Sequence, residues 1–101
     1  MEVKADIFEN KIVLSANGNT VTVLPDMPFT TTRMLVGTFM PAVNCMKEGL
    51  SKLGATGFLK MKPKLIIYPK AMIEGGLSEI EERCLLEIGH CAGAAKVEIH
   101  I

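Results

Sequence analysis

Residues 65–101 read LIIYPKAMIEGGLSEIEERCLLEIGHCAGAAKVEIHI, and the pattern of this stretch decides the fold. Residues 64–68 form a short continuous apolar run closed by Pro69, the mark of a central strand covered on both faces. Ser78 followed by Glu81 has the spacing of a capping box, and Ile80, Cys84, Leu85, Ile88 and Cys91 supply a buried helical stripe that Gly93 ends. Residues 96–101 then alternate, with Val97, Ile99 and Ile101 on one face and Glu98 and His100 on a wetter one. Strand, helix, strand in this order predicts a parallel pair joined by a crossover helix. Ligands of such units are gripped by loops that follow the strands, and here nothing follows the second strand.

Upstream, residues 3–8, 11–16 and 20–24 are rich in apolar and β-branched residues, which predicts a three-stranded meander. Asn17-Gly18 between the second and third tolerates the positive φ angles of a tight hairpin. Pro25 and Pro28 end the sheet, since proline donates no ladder hydrogen bond, and Thr30, Thr31 and Thr32 offer helix N-caps. Over residues 33–52, Leu35, Phe39, Val43, Met46, Leu50 and Leu53 recur at helical steps. Pro41 predicts a kink or a break in that helix, and Gly54 and Gly57 close it. The element order is therefore β-β-β-α-β-α-β.

The chain has 101 residues, enough for one domain with a modest core, so residues 1–101 are read as a single unit. Hydrophobic residues make up 49% but aromatic ones only 5%, so the core is aliphatic, and seven methionines predict an adaptable core or a sticky face. Eleven basic and eleven acidic residues cancel, which removes any global field toward nucleic acid or an anionic membrane. No apolar run reaches the roughly 18 residues of a membrane span, and the acidic start is unlike a signal peptide. Cys45, Cys84 and Cys91 are an odd count without zinc spacing, so a reducing, cytoplasmic setting is expected. On one helix, Cys84 and Cys91 stand about 10 Å apart, too far for a disulfide.

The element order is that of the ribonuclease H-like fold, which builds each half of the actin-like ATPases. Ser78, Glu81, Arg83, Glu87, Ala92, Gly93, Ala94 and Val97 resemble, without a gap, a segment of the bacterial actin-like cell-shape family MreB. Thr30, Met34 and Leu35 resemble the helix before that unit. Asp6 falls where the family carries the aspartate of its first phosphate loop, and Gly18 where a hairpin glycine sits. The resemblance implies a reduced actin-like core. It also exposes departures: the family follows its aspartate with Gly and Thr, whereas Ile7, Phe8 and Glu9 stand here. A ring and a carboxylate oppose close approach of phosphate. The second phosphate loop and adenosine pocket of the family have no counterpart in the sequence, so neither ATPase activity nor filament assembly is carried over.

Asp6 and Glu9 are the candidate vestigial phosphate-loop residues, set against the plainer reading of polar residues at a strand end. Lys60, Lys62 and Lys64, with Lys70, Phe58 and Tyr68 nearby, form a candidate anion patch, set against a solvated loop without any nucleic-acid motif. His90 and Cys91 point about 100° apart on a helix and do not pair for nucleophilic chemistry. The cysteines and histidines lack metal spacing, and no cofactor is expected. Glu79, Glu81, Glu82 and Glu87 complement a helix N-terminus and Arg83. Met34, Met40, Met46, Met61 and Met72 are candidates for a sticky face.

A non-enzymatic protein-binding or assembly module follows, one that self-associates, as a homo-oligomer, or docks on a larger protein partner. The motive is apolar area or a free strand edge that related proteins cover with further structure. The alternative is a small-ligand domain with a vestigial nucleotide or metal site at Asp6, and nucleic-acid binding through the lysines is the weakest reading.

Overall fold

The computed structural model describes residues 1–57 and 60–101. Phe58 lies outside the described residues. The elements are β1 (Glu2–Phe8), β2 (Lys11–Ala16), β3 (Asn19–Val23), α1 (Phe39–Lys52), β4 (Lys64–Pro69), α2 (Glu79–Cys91) and β5 (Lys96–Ile99). They build a five-stranded sheet of order β3-β2-β1-β4-β5, antiparallel across the meander and parallel from β1 to β4 and β5. Both the order and the topology are those of the ribonuclease H-like fold.

Strand alternation sends Val3, Ala5 and Ile7 of β1, Ile12 and Leu14 of β2, Val23 of β3, and Leu65 and Ile67 of β4 to one face. There they meet Ala42, Val43, Met46 and Leu50 of α1 and Leu85 and Ile88 of α2 in one core. Asn17 and Gly18 hold φ of 51° and 81°, the left-handed pair that a two-residue hairpin needs, and set Ala16 opposite Asn19.

The first helix is shorter than its periodicity predicts. It begins at Phe39, not at residue 33, and Pro41 produces no break. As the third helical residue, Pro41 lies where a backbone N–H has no intrahelical partner. Its ring also excludes a helical residue 37, so the proline fixes the start of the helix. Thr30, Thr31 and Thr32 are loop residues, and the N-cap position falls to Thr38, whose side chain makes no cap bond. Asn10 Oδ1 accepts from the N–H groups of Phe29 and Thr30, both at 2.8 Å, and the Thr30 hydroxyl donates to the Leu35 carbonyl at 2.7 Å. That clamp seats Phe29, Leu35 and Val36 in the core from outside any helix.

The capping box of α2 is complete. Glu81 N–H donates to Ser78 Oγ at 3.2 Å and Ser78 N–H donates to Glu81 Oε1 at 3.1 Å. At its other end, Ala94 N–H reaches the Gly89 carbonyl and Gly93 N–H the His90 carbonyl, a Schellman closure that α1 repeats at Gly54 and Ala55. The stripe, however, is rotated. Ile80 is 75% exposed and Cys91 is exposed, so neither is a core residue. At about 100° per residue, Leu85, Ile88, Gly89 and Ala92 share the inner face, and Ile80 and Cys91 fall more than about 100° from its centre.

Burial in β4 alternates, which corrects the expectation of a strand covered on both faces. Both helices pack on one side of the sheet, so Lys64, Ile66 and Tyr68 are covered only by neighbouring side chains. Lys4 and Lys70 ammonium groups stand 5.0 and 5.4 Å from the Tyr68 ring centre, and the His100 ring lies tilted at 5.4 Å. Their aliphatic stems and rings shield what no helix does. β5 ends at Ile99, and Ile101 is 76% exposed beyond it. Among the described residues, no helix is long and apolar enough to cross a membrane.

Candidate functional site

Among the described residues, two regions stand out for exposed or unpaired chemistry. The first is the sheet face away from the helices. Asp6, in β1, lies between Val13 of β2 and Tyr68 of β4 by register, and its side chain is 19% exposed. Lys4 Nζ stands 3.8 Å from Oδ2, while the buried Oδ1 has no partner among the described residues. Glu9 sits apart, exposed in the turn between β1 and β2. Alternation explains the separation: three residues along, a side chain has changed faces and left the strand. Among the described residues, no three His, Cys, Asp or Glu side chains converge to hold a metal ion.

The lysines divide. Lys64 Nζ is 2.9 Å from Glu98 and 3.7 Å from Glu2, so it is an ion-paired member of the open face. The Glu98 carboxylate is held below its usual range first by its hydrogen bond to Lys64 and then by His100, and the same bond raises Lys64. Lys60 donates to the Gly54 carbonyl at 2.9 Å, and Lys62 is exposed. The methionines divide as well. Met46 is fully buried and belongs to the core, not to an outward face. Met34 and Met72 are half-buried, and Met61 is 89% exposed.

Met40 belongs to the second region, a groove of about 350 Å³ between the segment after β3 and the first turns of α1. Leu24 and Met27, each 67% exposed, face Met40, 57% exposed, with Pro25 and Pro41 beside them. Asp26, Asn44 and Glu48 rim it and Cys45 lies below. Leu24, expected as the last residue of the third strand, lies just beyond β3, which ends at Val23, and Met27 escapes a periodicity search because the prolines around it exclude both ladder and helix. An apolar residue trapped between prolines after a strand was the available signal.

Cys45 Sγ lies 3.4 Å from the Val23 carbonyl. Burial, and then the Glu48 and Asp26 carboxylates, push this thiol up to about 11 from its ordinary 9.0. The unfolded chain therefore releases this proton first as pH rises, so the stabilising difference shrinks between about pH 9 and 11. Burial pushes Cys84 in the same direction. Urea midpoints should fall across that window by more in the wild type than in Cys45→Ala; equal slopes would contradict the buried, neutral thiol.

Comparisons with known protein families, with curated proteins and with solved structures find no match. What fold and site define is a small α/β domain with a five-stranded mixed sheet and an apolar groove beside one sheet edge.

Proposed function

We propose that this chain is a non-catalytic protein-binding module, a reduced actin-like version of the ribonuclease H-like topology without ATPase activity. The observation that carries the reading is the grouping of Leu24, Met27 and Met40 around one groove, three large apolar side chains each more than half exposed. Water contact with such a group is relieved by a partner, and methionines adapt their shape to it. The resemblance in the α2 segment supports the actin-like lineage, and the replacement of the phosphate-loop glycine and threonine by Ile7 and Phe8 supports the loss of nucleotide chemistry. Three free cysteines fit a reducing, cytoplasmic setting.

Affinity capture from the native cell with the wild type and with Met27→Lys/Met40→Lys as baits tests the proposal. A partner retained by the first and lost by the second, at unchanged melting temperature, is the expected result; identical captures would sink it. A second reading, a small-ligand site at Asp6, draws on the unpartnered Oδ1. It predicts a melting temperature raised by a nucleotide or a divalent cation, since ligand bound only to the folded state stabilises it.

A further inference from the structure

The two edges of the sheet are unlike. β5 carries Lys96 and Glu98, with His100 just beyond, and Glu98 gathers Lys64, Lys96 and His100 within 3.9 Å. Charges of this kind guard an edge against added strands. β3 reads NTVTV, with no charge and no proline in the strand. The hairpin fixes which of its backbone groups are free. A two-residue turn makes Ala16 and Asn19 a bonded pair, and alternation then makes Leu14 with Val21, and Ile12 with Val23, bonded pairs. Thr20 and Thr22 therefore direct their N–H and C=O groups outward. Both are exposed, and among the described residues neither bonds outside the sheet.

This free edge runs directly into the groove. Leu24 continues from Val23, and Thr20 lies about 13 Å back along the strand at ~3.3 Å per residue. At the rim, Glu48 is occupied by Lys52 at 3.0 Å, whereas Asp26 has no ion pair among the described residues. Resting on the protein-binding reading above, we infer that one extended segment of a partner protein adds beside β3, seats an apolar side chain between Leu24, Met27 and Met40, and brings a lysine or arginine to Asp26. Main-chain bonds supply affinity in this mode, and the pocket and the charge supply selectivity. A second copy of this chain fits less well. Antiparallel pairing of β3 with β3 sets the polar tip Asn17-Gly18-Asn19 toward the groove, and groove-to-groove packing opposes Asp26 and Glu48 with their own copies.

The test is selection of linear peptides from a random display library on the intact chain, followed by synthesis of the enriched sequences. The selected peptides should carry an apolar residue and a basic one, slow amide exchange at Thr20 and Thr22, and shift the methyl resonances of Met27 and Met40. N-methylation of a bound peptide should cost at least tenfold in affinity at alternate residues and little at the residues between. Asp26→Asn should weaken binding about threefold, as expected for a partly exposed pair. The inference is overturned by no enrichment, by peptides mapped to β5 or α2, by N-methylation without alternation, or by the same residues buried in a dimer of this chain. A partner lost on Met27→Lys/Met40→Lys that leaves Thr20 and Thr22 exchange unchanged overturns strand addition while the module reading stands.

Discussion

Asn10→Ala is expected to lower the unfolding free energy by about 3 kcal/mol, from two orphaned backbone donors and an unfavourable backbone angle. The side-chain oxygen accepts from Phe29 and Thr30 N–H at 2.8 Å each, and the Asn10 N–H donates to Thr30 Oγ1 at 2.9 Å. Alanine removes that acceptor and leaves both donors half-buried. It must also hold φ of 49°, which asparagine tolerates better than alanine. The loss propagates, because this turn pins the segment that carries Phe29, Leu35 and Val36 into the core. Asn10→Asp keeps an acceptor and the backbone tolerance, so it should retain most of the stability. Urea unfolding of the two variants measures the difference, and an alanine variant within 0.5 kcal/mol of wild type would refute the clamp.

Gly89→Val should cost about 3 kcal/mol by overpacking. A Cβ at Gly89 would stand 2.6 Å from Val97 Cγ2, 2.9 Å from Val97 Cγ1 and 3.2 Å from Leu65 Cδ2. α2 has little freedom to withdraw, since its capping box and Schellman closure fix both ends. Even Gly89→Ala, which gains about 1 kcal/mol in an unconstrained helix interior, should destabilise here. Shortening the opposing side chain in Gly89→Ala/Val97→Ala should recover part of the loss. Thermal unfolding of the three variants decides, and a stabilised Gly89→Ala would contradict the close approach of α2 to β4 and β5.

These two positions also mark where the sequence is hard to read. Strands, their order along the chain, the Asn17-Gly18 hairpin and the Ser78–Glu81 box were legible because each is a local rule about φ, alternation or capping. The inner face of α2 was legible in part: Leu85 and Ile88 are core as expected and Cys84 packs against it, but Ile80 and Cys91 are not. A search for large apolar residues selects Ile80 and Cys91, whereas the closest approach to the sheet is at Gly89, whose smallness is what permits it, and Ala92 is buried beside it. Likewise Leu35 and Val36 are buried without a helix, because Asn10, some twenty residues before Phe29 and Thr30, holds the chain leading to them in a loop. Apolar character in β4 spoke for burial on both faces, but the second face is covered by Lys4 and His100 from other parts of the chain and by Lys70 just after the strand.

The candidate site was half legible. Met40 is among the expected sticky residues and lies at the groove, while Met46 is core, Leu24 is expected only as a strand residue, and Met27 carries no expectation. Asp6 was singled out by resemblance, and its environment pairs it loosely with Lys4 on an open face. No local rule links residue 24 to residue 40; only the packing of α1 beside β3 does.

The most direct test of the protein-binding account is the affinity of a captured partner for three forms of the chain: wild type, Met27→Lys/Met40→Lys and Asp6→Asn. The account predicts at least a tenfold loss in the groove variant, the range of a buried apolar anchor, and wild-type affinity in Asp6→Asn. Undiminished binding by the groove variant, with loss confined to Asp6→Asn, would contradict it and move the function to the open face of the sheet.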